Sequence, residues 1–135
     1  MSKLFSNGWM NELGNKWNAT PHIVDPLKKA EFTANIAYGF KGEEKPRGVI
    51  VITNGVITHA GDYADEALDW DLRASPENWQ NWIEKGFGLA RLGPAVATKA
   101  LEFTTGNYRQ MIRNPSLSHP FLEHFKLMQE LHTDF

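Results

Sequence analysis

The chain has 135 residues, 41% of them apolar and 12% aromatic, which is the length and content of one domain with a substantial core. Its net charge of −2 offers no basic face for nucleic acid, and its lack of cysteine excludes a disulfide framework, thiolate catalysis and thiolate metal sites. No apolar run approaches the roughly 20 residues of a membrane span, and the opening MSKLFSNGWM has no apolar leader, so no membrane insertion and a cytoplasmic location are expected.

The first predicted element is a helix over residues 6–18, with Trp9, Met10, Leu13 and Trp17 on one face and Ser6 or Asn7 as its cap. Pro21 and then Pro26 imply short helical turns after it, with Thr20 as a cap. Residues 32–40 alternate, setting Phe32, Ala34, Ile36, Tyr38 and Phe40 on one face of a strand. A charged loop follows at 41–46. Two β-branched runs, 49–53 and 56–58, flank Asn54-Gly55, the pair that suits a two-residue type I′ hairpin because both positions need positive φ. Residues 67–73 alternate again. Leu68, Trp70 and Leu72 fall on a dry face, and Asp69, Asp71 and Arg73 on a wet one. These four strands read as an antiparallel meander.

Beyond Arg73 the period changes. Ser75-Pro76-Glu77 is a helix start, with Trp79, Trp82 and Ile83 on one face and an end near Gly86. Phe87-Gly88 connects to a second helix containing Pro94 and carrying Val96, Ala97, Ala100 and Leu101. Gly106-Asn107 is a turn, residues 108–113 are read as a fifth strand, and Asn114-Pro115 ends it. Ser116 or Ser118 caps a final helix in which Phe121, Phe125 and Met128 stand at i, i+4, i+7 beside Leu122, Leu127 and Leu131.

Polar chemistry is thin. His119 and His124 are five apart, not the i, i+4 of a helical zinc pair, and no compact ligand set surrounds them, so no metal and no cofactor are expected. Asp62, Asp65, Glu66, Asp69 and Asp71 read as loop and solvated strand residues rather than a general acid and base. Ser116, Ser118, His119 and Glu123 lack the nucleophile elbow of a hydrolase. Gly86, Gly88 and Gly93 lack dinucleotide spacing. What remains is apolar: Trp79, Trp82, Phe87, Phe103, Phe121, Phe125 and Met128, joined by Val96, are read as coming from three successive helical segments around one sheet and are the candidate ligand-binding residues.

Several local runs resemble the sterol carrier protein 2 family: Trp9-Met10-Asn11-Glu12-Leu13 with Trp17-Asn18, Asn54-Gly55, Ser75-Pro76-Glu77-Asn78-Trp79, Leu92-Gly93-Pro94-Ala95-Val96-Ala97 and Gly106 to Met111. The order of elements is similar over nearly the whole chain, although Asn114-Pro115 stands where that family carries a second glycine. The resemblance implies a single α+β domain over residues 1–135, with a five-stranded, largely antiparallel sheet and helices on one face. It also implies an apolar tunnel for a fatty acid, acyl-CoA, sterol or other polycyclic, and no catalytic residues. Arg91 or Arg109 is a candidate partner for an acidic head group. The alternatives are a small cavity enzyme of the ketosteroid-isomerase type, needing a buried acid (Asp62 or Asp69) beside Tyr38, Tyr63 or Tyr108, and an accessory subunit acting as a homodimer or beside a partner enzyme.

Overall fold

The computed structural model of the chain describes residues 2–106 and 108–135. In chain order the elements are β1 (Ser2–Lys3), α1 (Asn7–Asn18), α2 (Pro21–Lys29), β2 (Ala34–Phe40), β3 (Gly48–Thr53), β4 (Val56–Asp62), β5 (Trp70–Ala74), α3 (Pro76–Lys85), α4 (Leu89–Ala97), β6 (Glu102–Thr105), α5 (Tyr108–Arg113), α6 (Pro115–Gln129) and β7 (Thr133–Asp134). Five strands form one mixed sheet in the order β4-β3-β2-β5-β6, mostly antiparallel, as the α+β expectation holds.

The Asn54-Gly55 turn forms as expected. Asn54 has φ +49°, Gly55 φ +81°, and Thr53 pairs with Val56 across it. The turn is also docked. Trp17 Nε1 donates to the Gly55 carbonyl at 2.9 Å, Gly55 N donates to the Phe32 carbonyl at 2.8 Å, and the end of α2 lies so close that a Cβ on Gly55 would sit 2.5 Å from Lys28 N. Helix α1 seals the β4 edge. Asn18 exchanges two 2.8 Å hydrogen bonds with the Ile57 backbone, and Asn7 Oδ1 accepts from Asp62 N at 3.3 Å. An edge whose N–H and C=O groups are taken by side chains is a poor template for another strand.

Four expectations are corrected. The strands are not a meander: β5 leaves β4, crosses β3 and β2 and runs parallel to β2 on its far side, Ile36 opposite Trp70 and Phe40 opposite Ala74. Alternation reveals a strand but not its neighbour, and residues 63–69 easily span three strand spacings of about 4.8 Å. Strand β5 is also shorter than residues 67–73, and its second face is not wet, since Asp71 and Arg73 are both buried. Arg73 donates from Nε and Nη2 to the two Asp71 carboxylate oxygens at 2.7 and 3.0 Å, and from Nη1 to the Glu43 carbonyl at 2.9 Å. The fifth strand is displaced: residues 108–113 form helix α5, and the strand is β6, in the stretch read as the tail of the preceding helix. Phe103-Thr104-Thr105 favours a strand, whereas Met111 alone among the described side chains of α5 is fully buried, which is no strand alternation. Finally, α6 is capped by Asn114, whose Oδ1 accepts from Ser116 N at 3.1 Å, not by Ser116 or Ser118; Thr20 makes no side-chain cap for α2. Ser6 and Ser75 do cap α1 and α3. Gly106 has φ +102°, and Asn107 lies outside the described residues.

One feature has no sequence signal. The two ends of the described chain pair as a short parallel ribbon, β1 with β7, and Trp9 Nε1 donates to Thr133 Oγ1 at 2.9 Å beside it.

The docked turn sets a measurable expectation. Gly55→Ala combines a positive φ with a clash against the backbone of α2, whereas Gly42→Ala has a similar φ of +89° and nothing within 4 Å. Urea unfolding should show Gly42→Ala costing about 1–2 kcal/mol, the left-handed backbone term alone, and Gly55→Ala clearly more. Equal costs would mean that α2 does not rest on the turn.

Candidate functional site

Helices α1, α3 and α6 cover the sheet face that carries Ile36, Tyr38, Ile50, Ile52 and Leu72, all buried. The sequence-predicted aromatic residues meet there as one chain of rings. Trp79 touches Trp82 edge-on at 5.5 Å, Trp82 stacks on Phe87 at 4.4 Å, Phe87 meets Phe125 at 4.9 Å, Phe125 meets Phe121 at 5.1 Å, and Phe121 reaches Phe103 at 6.3 Å. Met128 is fully buried in the same cluster. Val96 and Phe103 are only half-buried and border a surface depression with Lys99, Leu101, Glu102 and Thr104. Of the two candidate arginines, Arg91 and Arg109, both side chains are exposed.

The interior between sheet and helices is closely filled. Its apolar void has a volume of about 10 Å³ and is lined by Trp17, Leu27, Phe32, Ile36, Trp70, Leu117 and Phe121. Space of that size holds one water-sized sphere. Phe121 is the one lining residue that the sequence reading assigned to a site. Trp17, Phe32, Ile36 and Trp70 lie on apolar faces that the sequence marks on α1, at the start of β2 and on β5, whereas Leu27 of α2 and Leu117 of α6 carried no signal. Phe32, Trp70 and Leu117 are half-buried and mark the side on which the void approaches solvent.

One polar pair interrupts this apolar interior. Tyr38 Oη and His124 Nε2 are 2.8 Å apart, and both residues are fully buried. His124 Nδ1 lies against the Phe121 carbonyl. A carbonyl only accepts, so Nδ1 carries the imidazole hydrogen, Nε2 is the acceptor, and the Tyr38 hydroxyl donates to it. Burial depresses the His124 pKa to about 4, with the Phe121 carbonyl opposing that fall, and burial raises the Tyr38 pKa far above its ordinary value. Both groups are therefore neutral at physiological pH.

The pair does not fit the cavity-enzyme alternative. Tyr38 is partnered by a neutral histidine, not by a carboxylic acid, and Asp62 and Asp69 are exposed. Tyr63 Oη reaches only the Glu66 carbonyl, at 3.5 Å. Among the described residues no group of three or more His, Asp or Glu side chains is placed to hold a metal ion, and no helix is long and apolar enough to cross a membrane.

No protein-family model and no curated protein matches the sequence. Solved structures do match the fold. Sterol carrier protein 2, in a crystal structure, is similar with a TM-score of 0.73 at 17% identity over 96% of this chain and 99% of its own. A conserved hypothetical protein of Thermus thermophilus, described as possibly a sterol carrier protein, gives 0.70 at 17% identity over 98% and 92%. A UbiJ-SCP2 ubiquinone synthesis protein gives 0.60 at 11% identity over 93% and 91%. The fold is therefore SCP2-like, as the order of elements suggested.

Two measurements follow from this packing. Phe125→Ala should cost about 3–5 kcal/mol in urea unfolding, because a ring wedged among Phe87, Phe121 and His124 leaves a cavity that these close-packed neighbours cannot collapse to fill. A cost under about 1 kcal/mol would show slack that the structure does not contain. The second concerns acid. A histidine held at about 4 when folded and near 6.5 when unfolded takes up its proton more readily in the unfolded chain. Its contribution to stability is complete above about 6.5 and is lost as pH falls toward 4, by a total of roughly 3 kcal/mol. Stability measured against pH should lose that slope in a Tyr38→Phe/His124→Leu variant, in which neither partner is left unpaired.

Proposed function

We propose that this chain is a non-enzymatic binding or carrier protein for an apolar molecule, a fatty acid, acyl-CoA, sterol or other polycyclic, taken up between the sheet and α6. The observation that carries the reading is the apolar void bounded by α1, α2, α6 and the sheet, in a fold that sterol carrier protein 2 shares. Affinity would come from burial, at about 25 cal/mol per Å² of apolar surface removed from water, less the entropy of association. The void is far smaller than such a molecule, so α2 must move outward for uptake, while α6 keeps His124 on Tyr38. The half-buried Phe32, Trp70 and Leu117 would be the mouth, and the ring chain from Trp79 to Phe121, with Val96, Phe103 and Met128, would form the wall on the α6 side.

A second reading has one observation behind it. A similar fold is that of a UbiJ-SCP2 ubiquinone synthesis protein, and a filled interior suits a chain that acts as an accessory subunit beside an enzyme.

Binding of a fluorescent fatty-acid analogue separates the two. The wild-type chain should bind it saturably, and Leu117→Trp, which adds a large ring at the half-buried rim of the void, should weaken binding by about tenfold or more, well beyond any effect on the unfolding midpoint. Absence of binding by the wild type to this and to a polycyclic probe would leave only the accessory reading.

A further inference from the structure

Within the carrier reading, on which this step rests, we propose that the Tyr38–His124 pair is the polar end of the site and that it selects an apolar molecule ending in a neutral hydroxyl rather than one ending in a carboxylate. The pair lies directly behind the void. Trp17 and Phe121, two of the lining side chains, touch the His124 ring at 5.6 and 4.9 Å, and Ile36, a third, precedes Tyr38 by two residues on the same face of β2. A ligand that entered past Phe32 and Trp70 and widened the void inward would meet the pair next.

The hydrogen inventory decides what can be recognised there. The His124 Nδ1 hydrogen is given to the Phe121 carbonyl, and the Tyr38 hydrogen to His124 Nε2. The indole hydrogen of Trp17 is given to the Gly55 carbonyl. Every donor at this end is therefore used, while the phenol oxygen of Tyr38 keeps acceptor capacity and makes no second hydrogen bond among the described residues. A hydroxyl can donate to that oxygen without disturbing the pair. A carboxylate offers only acceptors and would set lone pairs against lone pairs. It would also bring a charge into a space lined by no cationic side chain, where an unpaired charge is strongly disfavoured. A bare hydrocarbon end would cover the oxygen without using it. A carboxylate ligand is stable only with its head turned outward to water, and then owes nothing to Tyr38.

The test uses three ligands of one chain length, dodecanol, dodecane and dodecanoate, each competing with the fluorescent fatty-acid analogue near neutral pH. The wild type should bind dodecanol about tenfold tighter than dodecane, the worth of one buried hydrogen bond. The Tyr38→Phe/His124→Leu variant, which removes the phenol oxygen together with the ring nitrogen that Tyr38→Phe alone would free as a new acceptor, should abolish that difference and move dodecanoate affinity far less. Should it be too unstable to measure, Tyr38→Phe/His124→Phe must give the same result. Equal binding of dodecanol and dodecane by the wild type, or a loss of dodecanoate affinity in the variants as large as that of dodecanol, overturns the hydroxyl assignment while the carrier reading stands. Failure of all three ligands to compete, with no binding of the analogue itself, overturns both.

Discussion

The fold depends on β2 being buried on both faces at once. It is the central strand, hydrogen-bonded to β3 on one side and β5 on the other, so all of its backbone groups lie inside the sheet. On the helix-covered face it presents Ile36 and Tyr38. On the other it presents Ala37 and Gly39, and these small residues leave room for the Arg73 side chain to lie flat. A Cβ on Gly39 would sit 3.2 Å from Arg73 Cδ and 2.9 Å from Pro46 Cα. The Gly39 carbonyl in turn accepts from Trp79 Nε1 at 2.9 Å, which ties α3 to the strand. Removing either partner of the Asp71–Arg73 pair would strand a buried charge and cost on the order of 3–5 kcal/mol.

The same rule, that a buried polar group must find a partner, explains the tryptophans. Trp9, Trp17 and Trp79 are the largest fully buried side chains, and each donates its indole hydrogen to an atom far away in sequence: Thr133 Oγ1, the Gly55 carbonyl and the Gly39 carbonyl. They therefore act as directional ties as well as bulk. They fix the chain ends to α1, the hairpin turn to α1, and α3 to the sheet.

These features also show what could be read from the residues and what could not. Alternation located β2, β-branched runs beside Asn54-Gly55 located β3 and the start of β4, and the 3.6 period located α1, α3 and α6. The Asn54-Gly55 turn was legible because its backbone demand is local. The partner of β5 was not, since pairing depends on where the crossover lands and not on the strand's own pattern. Nor was the burial of Asp71 and Arg73, because two opposite charges at i, i+2 look the same in water and under a loop. Residues 108–113 misled because a short run with one buried methionine satisfies neither period. At the candidate site helical spacing marked Trp79, Trp82, Phe121, Phe125 and Met128, whereas Phe103 lies on β6 and Phe87 in the α3–α4 connection, and the void walls come from five elements, with Leu27 and Leu117 not singled out. His124 read as an ordinary surface or locally bonded histidine; only the packing of α6 over β2 brings it against Tyr38.

A filled interior is compatible with ligand binding if the energies are of the right size. Suppose the open form is populated at about one part in a hundred. Uptake then loses about 2.7 kcal/mol relative to a preformed tunnel, since apparent affinity falls by the open fraction. A ligand burying about 300 Å² of apolar surface gains about 7 kcal/mol at 25 cal/mol per Å², before the cost of association. What remains, about 4 kcal/mol, only matches the smallest cost of association, so uptake at this open fraction requires a ligand that buries clearly more than about 300 Å². A closed resting state has a reason as well. The void would expose an apolar patch if left open, and such patches promote association between chains. Closing α2 over the void covers its apolar lining, and the Tyr38–His124 hydrogen bond holds α6 in one register on β2 in open and closed forms alike.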